Sequence, residues 1–472
     1  MPRKLKSPLS RPLFSEPVFN EGVPTPDPSQ FKVTPNDQQF YTKEVEALLT
    51  KDVVAFPEAT GNPGDLFPLA TAWGPHGSDI INAINAANCI TFQMIGDSGA
   101  TAAKTFGAMI RVSDAVTNDF HTSSAANRPS FLYHLGDVVY NFGEWNYYYD
   151  QFYEPYRNYP APILAIPGNH DSFILPGTAA AGDPLVTFMR QFCATDTVVT
   201  KEAGSLHRTS LTQPGVYFAL DAPFVRIIGL FSNALEDPGV ISSESGTAAS
   251  FAIAKKGTAK KGRAKMGTAA KGNARWPAVP DYQLEFLATQ LQNIKTSNYQ
   301  GAVILTVHHP PFTYSPGKSN SGGGHHGGSP NMLAEIDSIC KQVGVYPHAI
   351  ISGHAHNYQR FTRTVNFAGK NYSVPFIICG DSGHNVTPIV SSTFGKTVPE
   401  PADNVNVSYL DTSSIFPGTT LTLNKHDQKN SGYLRVSATS KQLKITFNPV
   451  SQSGTAMKPD TVTVDLTNHT SR

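Results

Sequence analysis

Between residues 131 and 171 two apolar runs each end abruptly on a glycine followed by a polar residue able to bind a metal. The first, FLYHL (131–135), leads into Gly136-Asp137-Val138-Val139-Tyr140; the second, ILAI (163–166), leads into Pro167 and Gly168-Asn169-His170-Asp171. Short apolar runs bounded by turn residues read as buried strands of a β-α-β unit. Glycine lets the chain turn sharply at a strand end. The polar side chains are then left in the crevice beyond the carboxyl ends of the strands, where open α/β sheets bind their ligands.

The same pattern recurs along the chain. Residues 90–95 form an apolar run ending in Gly96-Asp97-Ser98-Gly99, and Phe106, Met109 and Ile110 then fall at helical spacing. Residues 302–307 end in His308-His309-Pro310-Pro311-Phe312, residues 349–351 run into Gly353-His354-Ala355-His356, and residues 375–379 end in Gly380-Asp381-Ser382-Gly383-His384. Each motif has a plainer reading by itself. Asp97 is a good helix-capping residue, Tyr140 belongs with the aromatics Trp145, Tyr147, Tyr148 and Tyr149, and Asn169 and Asp171 suit a turn. Together, strand ends that each deliver oxygen or nitrogen ligands point to one metal site and to phosphoester chemistry on two metals. In this reading His170 meets a bound anion or a leaving group and Asp171 orients its imidazole, while His309 is a pocket or packing residue. The loop 313–330 carries Gly322, Gly323 and Gly324 directly before His325 and His326. That pair is either an exposed accident or a mobile acid group that closes over substrate.

Composition narrows the rest. A chain of 472 residues with 40% hydrophobic residues can bury a large core and is not a disordered protein, and it has room for one large domain or two to three ordinary ones. A net charge of +1 gives no overall pull toward nucleic acid or a membrane. The four cysteines show no zinc-like spacing and make no disulfide framework, so buried free thiols are expected. No secretion signal or membrane-spanning run is visible, and the sequons at Asn371, Asn385, Asn406 and Asn468 therefore say little about location. Residues 1–88 read as a Pro-rich N-terminal arm with short helical pieces, and residues 89–472 as the catalytic domain. Within it, residues 246–275 repeat Gly-Thr-Ala at 246, 257 and 267 and carry eight lysines and arginines and no acid. This insertion is either a solvated low-complexity segment or a basic tether for nucleic acid, a phosphorylated substrate or an anionic surface. A helix follows, with Leu284, Leu287, Ala288 and Leu291 on one face. Residues 385–430 look loop-like, and alternating strands at 434–438, 443–447 and 462–466 read as half-buried edges of a second sheet.

The ordered set GDSG, GDVVY, GNHD, a strand ending in His308, and GHAH resembles the five-motif signature of the purple acid phosphatases, within the calcineurin-like metallophosphoesterases, over about residues 90–450. The resemblance implies an α/β fold, a four-layer αββα sandwich of two mixed β-sheets flanked by helices. It also implies a dinuclear centre of Fe(III) with a divalent metal (Fe, Zn or Mn). Asp97, Asp137, Tyr140 and His356 would hold Fe(III), and Asp137, Asn169, His308 and His354 the divalent ion. The residue types agree with that division, since anionic oxygens suit a trivalent ion and neutral ligands a divalent one. Gly99 fits this subgroup, because most other members of the superfamily carry a metal-binding His there and Tyr140 would take its place. The chain departs from the pattern in having Leu305 where the fourth motif usually has Val, and no β-sandwich pattern precedes residue 90. His325 and His326 resemble a substrate-binding His pair of plant members but lie further along a longer loop. The implied activity is an acid phosphatase hydrolysing small phosphomonoesters with a metal-activated hydroxide. His170, His325 and His326 would act as catalytic residues that hold the phosphate and protonate the leaving alkoxide. A phosphodiesterase or nucleotide pyrophosphatase on the same fold is the nearest rival. A non-catalytic protein that binds through its basic insertion is the remote one.

Overall fold

The computed structural model describes residues 59–61, 66–100, 103–140, 142–173, 185–204, 206–236, 239–241, 282–315, 326–389, 400–453 and 457–472. Residues 1–58 of the N-terminal arm, the basic insertion 246–275 and His325 lie outside them. Two mixed sheets form the body. The nine-stranded sheet contains β1 (Leu66–Pro68), β5 (Phe218–Ala222), β6 (Val225–Leu230), β7 (Ala302–Val307), β8 (Ala349–Ser352), β9 (Tyr358–Phe367), β10 (Lys370–Cys379), β11 (Val405–Asn406) and β12 (Thr420–Asp427), in the order β1-β5-β6-β7-β8-β10-β9-β12-β11. The seven-stranded sheet contains β2 (Ile90–Ile95), β3 (Leu132–His134), β4 (Ile163–Ala165), β13 (Ser431–Ala438), β14 (Gln442–Val450), β15 (Asp460–Asp465) and β16 (Thr470–Ser471), in the order β16-β15-β14-β13-β2-β3-β4. Strands β2, β3 and β4 run parallel, as do β6, β7, β8 and β10, so each sheet brings a set of carboxyl ends to one edge.

Side-chain alternation explains the layers. Along β7, Ala302 and Ile304 join a core shared with Phe92 and Met94 of β2, Tyr133 of β3 and Leu164 of β4, where the two sheets face each other. The intervening Val303, Leu305 and Val307 pack outward with Leu284, Leu287 and Leu291 of helix α5 and Leu333, Ile336 and Ile339 of helix α6. The helices, in chain order, are α1 (Leu69–Trp73), α2 (Gly77–Ala87), α3 (Ala103–Thr122), α4 (Val186–Phe192), α5 (Tyr282–Thr296) and α6 (Pro330–Val343). On the other sheet, Val112 and Val116 of α3 join Ile95, Leu132 and Ile163 in the outer core. Burial on both faces is why these strands read as uninterrupted apolar runs. The protein is thus an α/β fold of two mixed sheets flanked by helices, as the resemblance implied.

The chain differs from its sequence reading in several places. From residue 66 the expected arm supplies an edge strand and two helices to the body: β1 pairs in parallel with β5. The 358–379 region forms a hairpin of two ten-residue strands, β9 and β10, of which only residues 375–379 stood out. The loop-like stretch 385–430 contains β11 and β12. The alternating strands near the C-terminus lie inside the sheet of β2–β4, with β13 beside β2, and the edges are β16 and β4. All four cysteines are free thiols, but Cys89 and Cys193 are only half-buried. Among the described residues no helix is long and apolar enough to cross a membrane.

Candidate metal centre

The parallel strands end where the sequence changes from apolar to polar, and their ends meet. Asp97 follows β2, Asp137 follows β3, Asn169 follows β4, His308 follows β7, and His354 and His356 follow β8. Asp97 (φ 55°), Asp137 (φ 55°) and His354 (φ 67°) all adopt left-handed backbone, a strained state for residues with a side chain that clusters at functional sites. The glycines before them create the space. A Cβ on Gly136 (φ 103°) would lie 2.6 Å from both Gly168 N and His308 Nδ1, and one on Gly168 would lie 2.1 Å from Asp137 Oδ1. A side chain at either position would push the strand ends apart.

Two groups of donor atoms, each mutually within 4.8 Å, result: Asp137, His308 and His354, and Asp97, Asp137 and His356. Asp137 belongs to both. The Tyr140 hydroxyl lies 3.1 Å from Asp97 Oδ1, 2.9 Å from Asp137 Oδ2 and 3.1 Å from His356 Nε2. Asn169 Oδ1 lies 3.0 Å from His308 Nε2 and 3.1 Å from His354 Nδ1, so it joins the first group. All seven side chains that the motifs singled out as ligands are therefore brought together, and all are buried.

The donor set fits cations. His308 Nδ1 donates to the Leu135 carbonyl at 2.9 Å, because a carbonyl can only accept. In a neutral ring Nε2 is then a lone pair facing Asn169 Oδ1 at 3.0 Å and Asp137 Oδ2 at 3.3 Å. Three lone pairs converging this closely require a proton or a metal between them. Burial alone would lower the His308 pKa, yet the Asp137 and Asp97 charges outweigh it and raise it to about 9. The carboxylates thus favour positive charge at this ring despite its burial, and a bound metal would displace the proton. Burial and the surrounding imidazoles push His354 well below the usual range, leaving it neutral and ready to ligate. Burial and the two carboxylates raise the Tyr140 phenol, so it keeps its proton, which a bound metal would displace.

The other predicted residues fare differently. The His170 ring packs 4.2 Å from Tyr140 and 4.5 Å from Phe173, and its backbone N–H donates to Asp137 Oδ1 at 2.9 Å. Asp171 accepts from the backbone N–H groups of Val138, Val139 and Gly168, so it clamps the two metal-site loops together. His326 is buried over the site, its ring 4.5 Å from His354 and 4.8 Å from His356, with Nδ1 3.7 Å from Glu236 Oε1.

Several contributors escaped the sequence reading. Glu236 Oε2 accepts from Asn169 Nδ2 at 3.4 Å, which turns the amide oxygen of Asn169 toward the two histidines. Gln151 pins Tyr140 by accepting from its N–H at 2.9 Å and donating to its carbonyl at 2.7 Å. His384 stacks on the Tyr140 ring at 4.0 Å, donates through Nδ1 to the Gly99 carbonyl at 3.0 Å, and donates its backbone N–H to the Asp97 carbonyl at 2.9 Å. A signal for His384 was present: Gly380-Asp381-Ser382-Gly383 repeats the tetrapeptide around Asp97 and precedes it directly. His309 is the packing residue it was read as, bonded to Ser232 Oγ at 2.7 Å and the Leu235 carbonyl at 2.8 Å.

No curated protein matches the sequence. Among solved structures, one described as the structure of PhoD is similar at 11% identity and a TM-score of 0.43, covering 87% of this chain and 72% of that one. The family model described as calcineurin-like phosphoesterase matches residues 95–358, more than half of the chain. That span begins at the last residue of β2 and ends just beyond His356, so it encloses all seven candidate metal ligands. The chain belongs to the calcineurin-like phosphoesterases, metal-binding hydrolases that act on phosphoric esters.

Proposed function

We propose that the protein is an acid phosphatase of the purple acid phosphatase kind, hydrolysing small phosphate monoesters at a centre of Fe(III) and a divalent metal (Fe, Zn or Mn). The observation that carries this reading is the place of Tyr140. Its hydroxyl reaches Asp97, Asp137 and His356 at once. A Cβ on Gly99 would lie 2.7 Å from Tyr140 Cδ2 and 2.4 Å from Gln151 Oε1, so a larger residue at 99 is incompatible with the tyrosine. Glycine at 99 and tyrosine at 140 form one choice, and a phenol among carboxylates suits a trivalent hard ion.

In this reading Asp97, Asp137, Tyr140 and His356 hold Fe(III), and Asp137, Asn169, His308 and His354 hold the divalent ion. Bound there, the pair would supply charge for the phosphate oxygens and acidify a water so that hydroxide is available at mild acidity. The chain's own residues do the remainder. Asp137 would serve both ions, since the two donor groups share it. Glu236 holds the Asn169 amide by its nitrogen and leaves the oxygen to ligate. His326, over His354 and His356 and beside Glu236, would carry a proton toward the leaving oxygen. His170, whose ring packs on Tyr140, would hold a phosphate oxygen. His325 stays a candidate from the sequence alone.

Metal content, a visible spectrum and turnover on one purified sample test the reading. The expected result is iron with a second metal, a visible phenolate charge-transfer band that Tyr140→Phe abolishes, and faster turnover of p-nitrophenyl phosphate than of its bis-ester. A colourless protein with other metals that prefers the bis-ester would move the function to the phosphodiesterase reading.

A further inference from the structure

Five strand ends, those of β2, β3, β4, β7 and β8, supply the seven candidate ligands. A sixth, Gly380-Asp381-Ser382-Gly383-His384 after β10, supplies none of them yet closes on the same place. Ser382 N–H donates to the Gly96 carbonyl at 3.1 Å, and His384 N–H donates to the Asp97 carbonyl at 2.9 Å. Gly96 N–H donates back to Ser382 Oγ at 3.2 Å. The segment therefore runs alongside the Asp97 loop, and the packing is tight. A Cβ on Gly380 would lie 2.4 Å from the Ala355 carbonyl oxygen and 2.9 Å from Asp97 Oδ2, and one on Gly383 would lie 2.5 Å from the Ser98 carbonyl oxygen. The backbone of His384 is fixed by these contacts. Its ring is fixed by Nδ1, which donates to the Gly99 carbonyl at 3.0 Å.

That ring lies flat on Tyr140, with centroids 4.0 Å apart and planes 8° from parallel. The His170 ring stands 4.2 Å from the same phenol, tilted by 41°. Atoms of separate rings approach no closer than about 3.5 Å, so two rings this near cannot share one face of a phenol. The two imidazoles therefore lie on opposite faces of Tyr140. Gly99 closes an edge, since a Cβ there would lie 2.7 Å from Tyr140 Cδ2. Gln151 holds the Tyr140 backbone through both its N–H and its carbonyl, but it does not set the ring plane. The torsion that turns a tyrosine ring is intrinsically broad, so that plane has to be set by neighbours.

We infer that His384 is a positioning residue for the Tyr140 phenol. Its ring, tied to Gly99 and the Asp97 loop, sets the plane in which the phenol oxygen is presented to Asp97, Asp137 and His356. The consequence for metal binding rests on the reading of Tyr140 as a ligand. The ring acts on Tyr140, whereas the Nδ1 hydrogen bond acts only on His384, so substitutions separate the two.

His384→Phe keeps a flat ring, His384→Asn keeps a donor toward Gly99, and His384→Ala keeps neither. The test begins with the metal-free full-length protein carrying carbon-13 at the tyrosine ε positions, with Tyr140 assigned by its loss in Tyr140→Phe. A ring clasped on both faces turns over slowly, so Tyr140 should give two ε signals. His384→Ala and His384→Asn should merge them into one, and His384→Phe should keep two. With metal restored, His384→Ala and His384→Asn should lower the affinity for one ion by about ten-fold or more in chelator competition, the scale of losing an orienting partner. They should also shift the visible band, and His384→Phe should restore both readouts. A single averaged signal in the unaltered protein, two signals in His384→Ala and His384→Asn, or one in His384→Phe overturns the assignment. Signals that behave as expected, with metal affinity and spectrum unchanged in every variant, uphold His384 as the residue that holds the ring and overturn Tyr140 as a ligand.

Discussion

In the proposed two-metal reading a single carboxylate is shared by both ions. Asp137 is the only residue common to both donor groups, and its Oδ1 is also held by the His170 N–H. Burial would raise its pKa, but the His308 and His170 charges hold it well below the usual carboxylate range, so it stays ionised. Asp137→Asn keeps the shape and removes the charge that both ions need. Metal content should fall to background for both metals, and turnover by roughly a thousand-fold, the scale of removing a principal electrostatic stabiliser. An asparagine variant with full metal and full turnover would refute the bridging role. Glu236 acts one step back, through the Asn169 amide nitrogen. Glu236→Ala should leave the fold intact and lower the affinity for one ion by about 10–100-fold, as loss of an orienting partner does. Metal titration of the two sites separates this from a general loss of folding.

Element by element, what was legible depended on how each strand is buried. Strands β2, β3, β4, β7 and β8 are covered on both faces and appear in the sequence as apolar runs, and six of the seven converging ligands follow them within four residues. Strand β9 did not stand out, because its helix-facing row is Phe361, Arg363, Val365 and Phe367. Arg363 is fully buried and breaks the apolar alternation. It is tolerated because its NH2 meets Asp337 Oδ2 of α6 at 2.7 Å, its Nε meets Asp411 Oδ2 at 2.7 Å, and its NH1 donates to the Tyr346 hydroxyl at 2.6 Å. No pattern in the neighbouring residues foretells partners 26 and 48 positions away. Glu236, 67 positions from Asn169, escaped for the same reason. The buried pairing also has a measurable consequence. Asp337→Ala would leave the Arg363 charge partly unmatched in the core, which costs about 3–5 kcal/mol. Urea unfolding should register that loss with metal content unchanged. A change under 1 kcal/mol would mean that Asp411 alone suffices to compensate Arg363.

At the scale of the whole molecule the metal centre is a joint between the two sheets. Asp97, Asp137 and Asn169 extend from the seven-stranded sheet, and His308, His354 and His356 from the nine-stranded one. Protein contacts already span the joint: His354 N–H donates to Asp97 Oδ2 at 2.8 Å, His308 to the Leu135 carbonyl, and the Tyr133 hydroxyl meets Thr306 Oγ1 at 3.0 Å deeper in the core. The shared apolar core between the sheets is large, so the fold does not depend on metal for its existence. The carboxylates, the phenol and the converging lone pairs nevertheless oppose each other across the joint without a cation. An ion that binds only the folded chain stabilises it by mass action, by about 4 kcal/mol at a free concentration a thousand times its dissociation constant. Chelation should therefore lower the melting temperature while leaving a cooperative transition, and returning metal should restore it in a concentration-dependent way. The Asp137→Asn protein should melt at one temperature whether metal is present or absent. If chelation left the unaltered protein's melting temperature unchanged, the ions would not be holding the sheets together. The joint would then rest on the apolar core and the direct contacts alone.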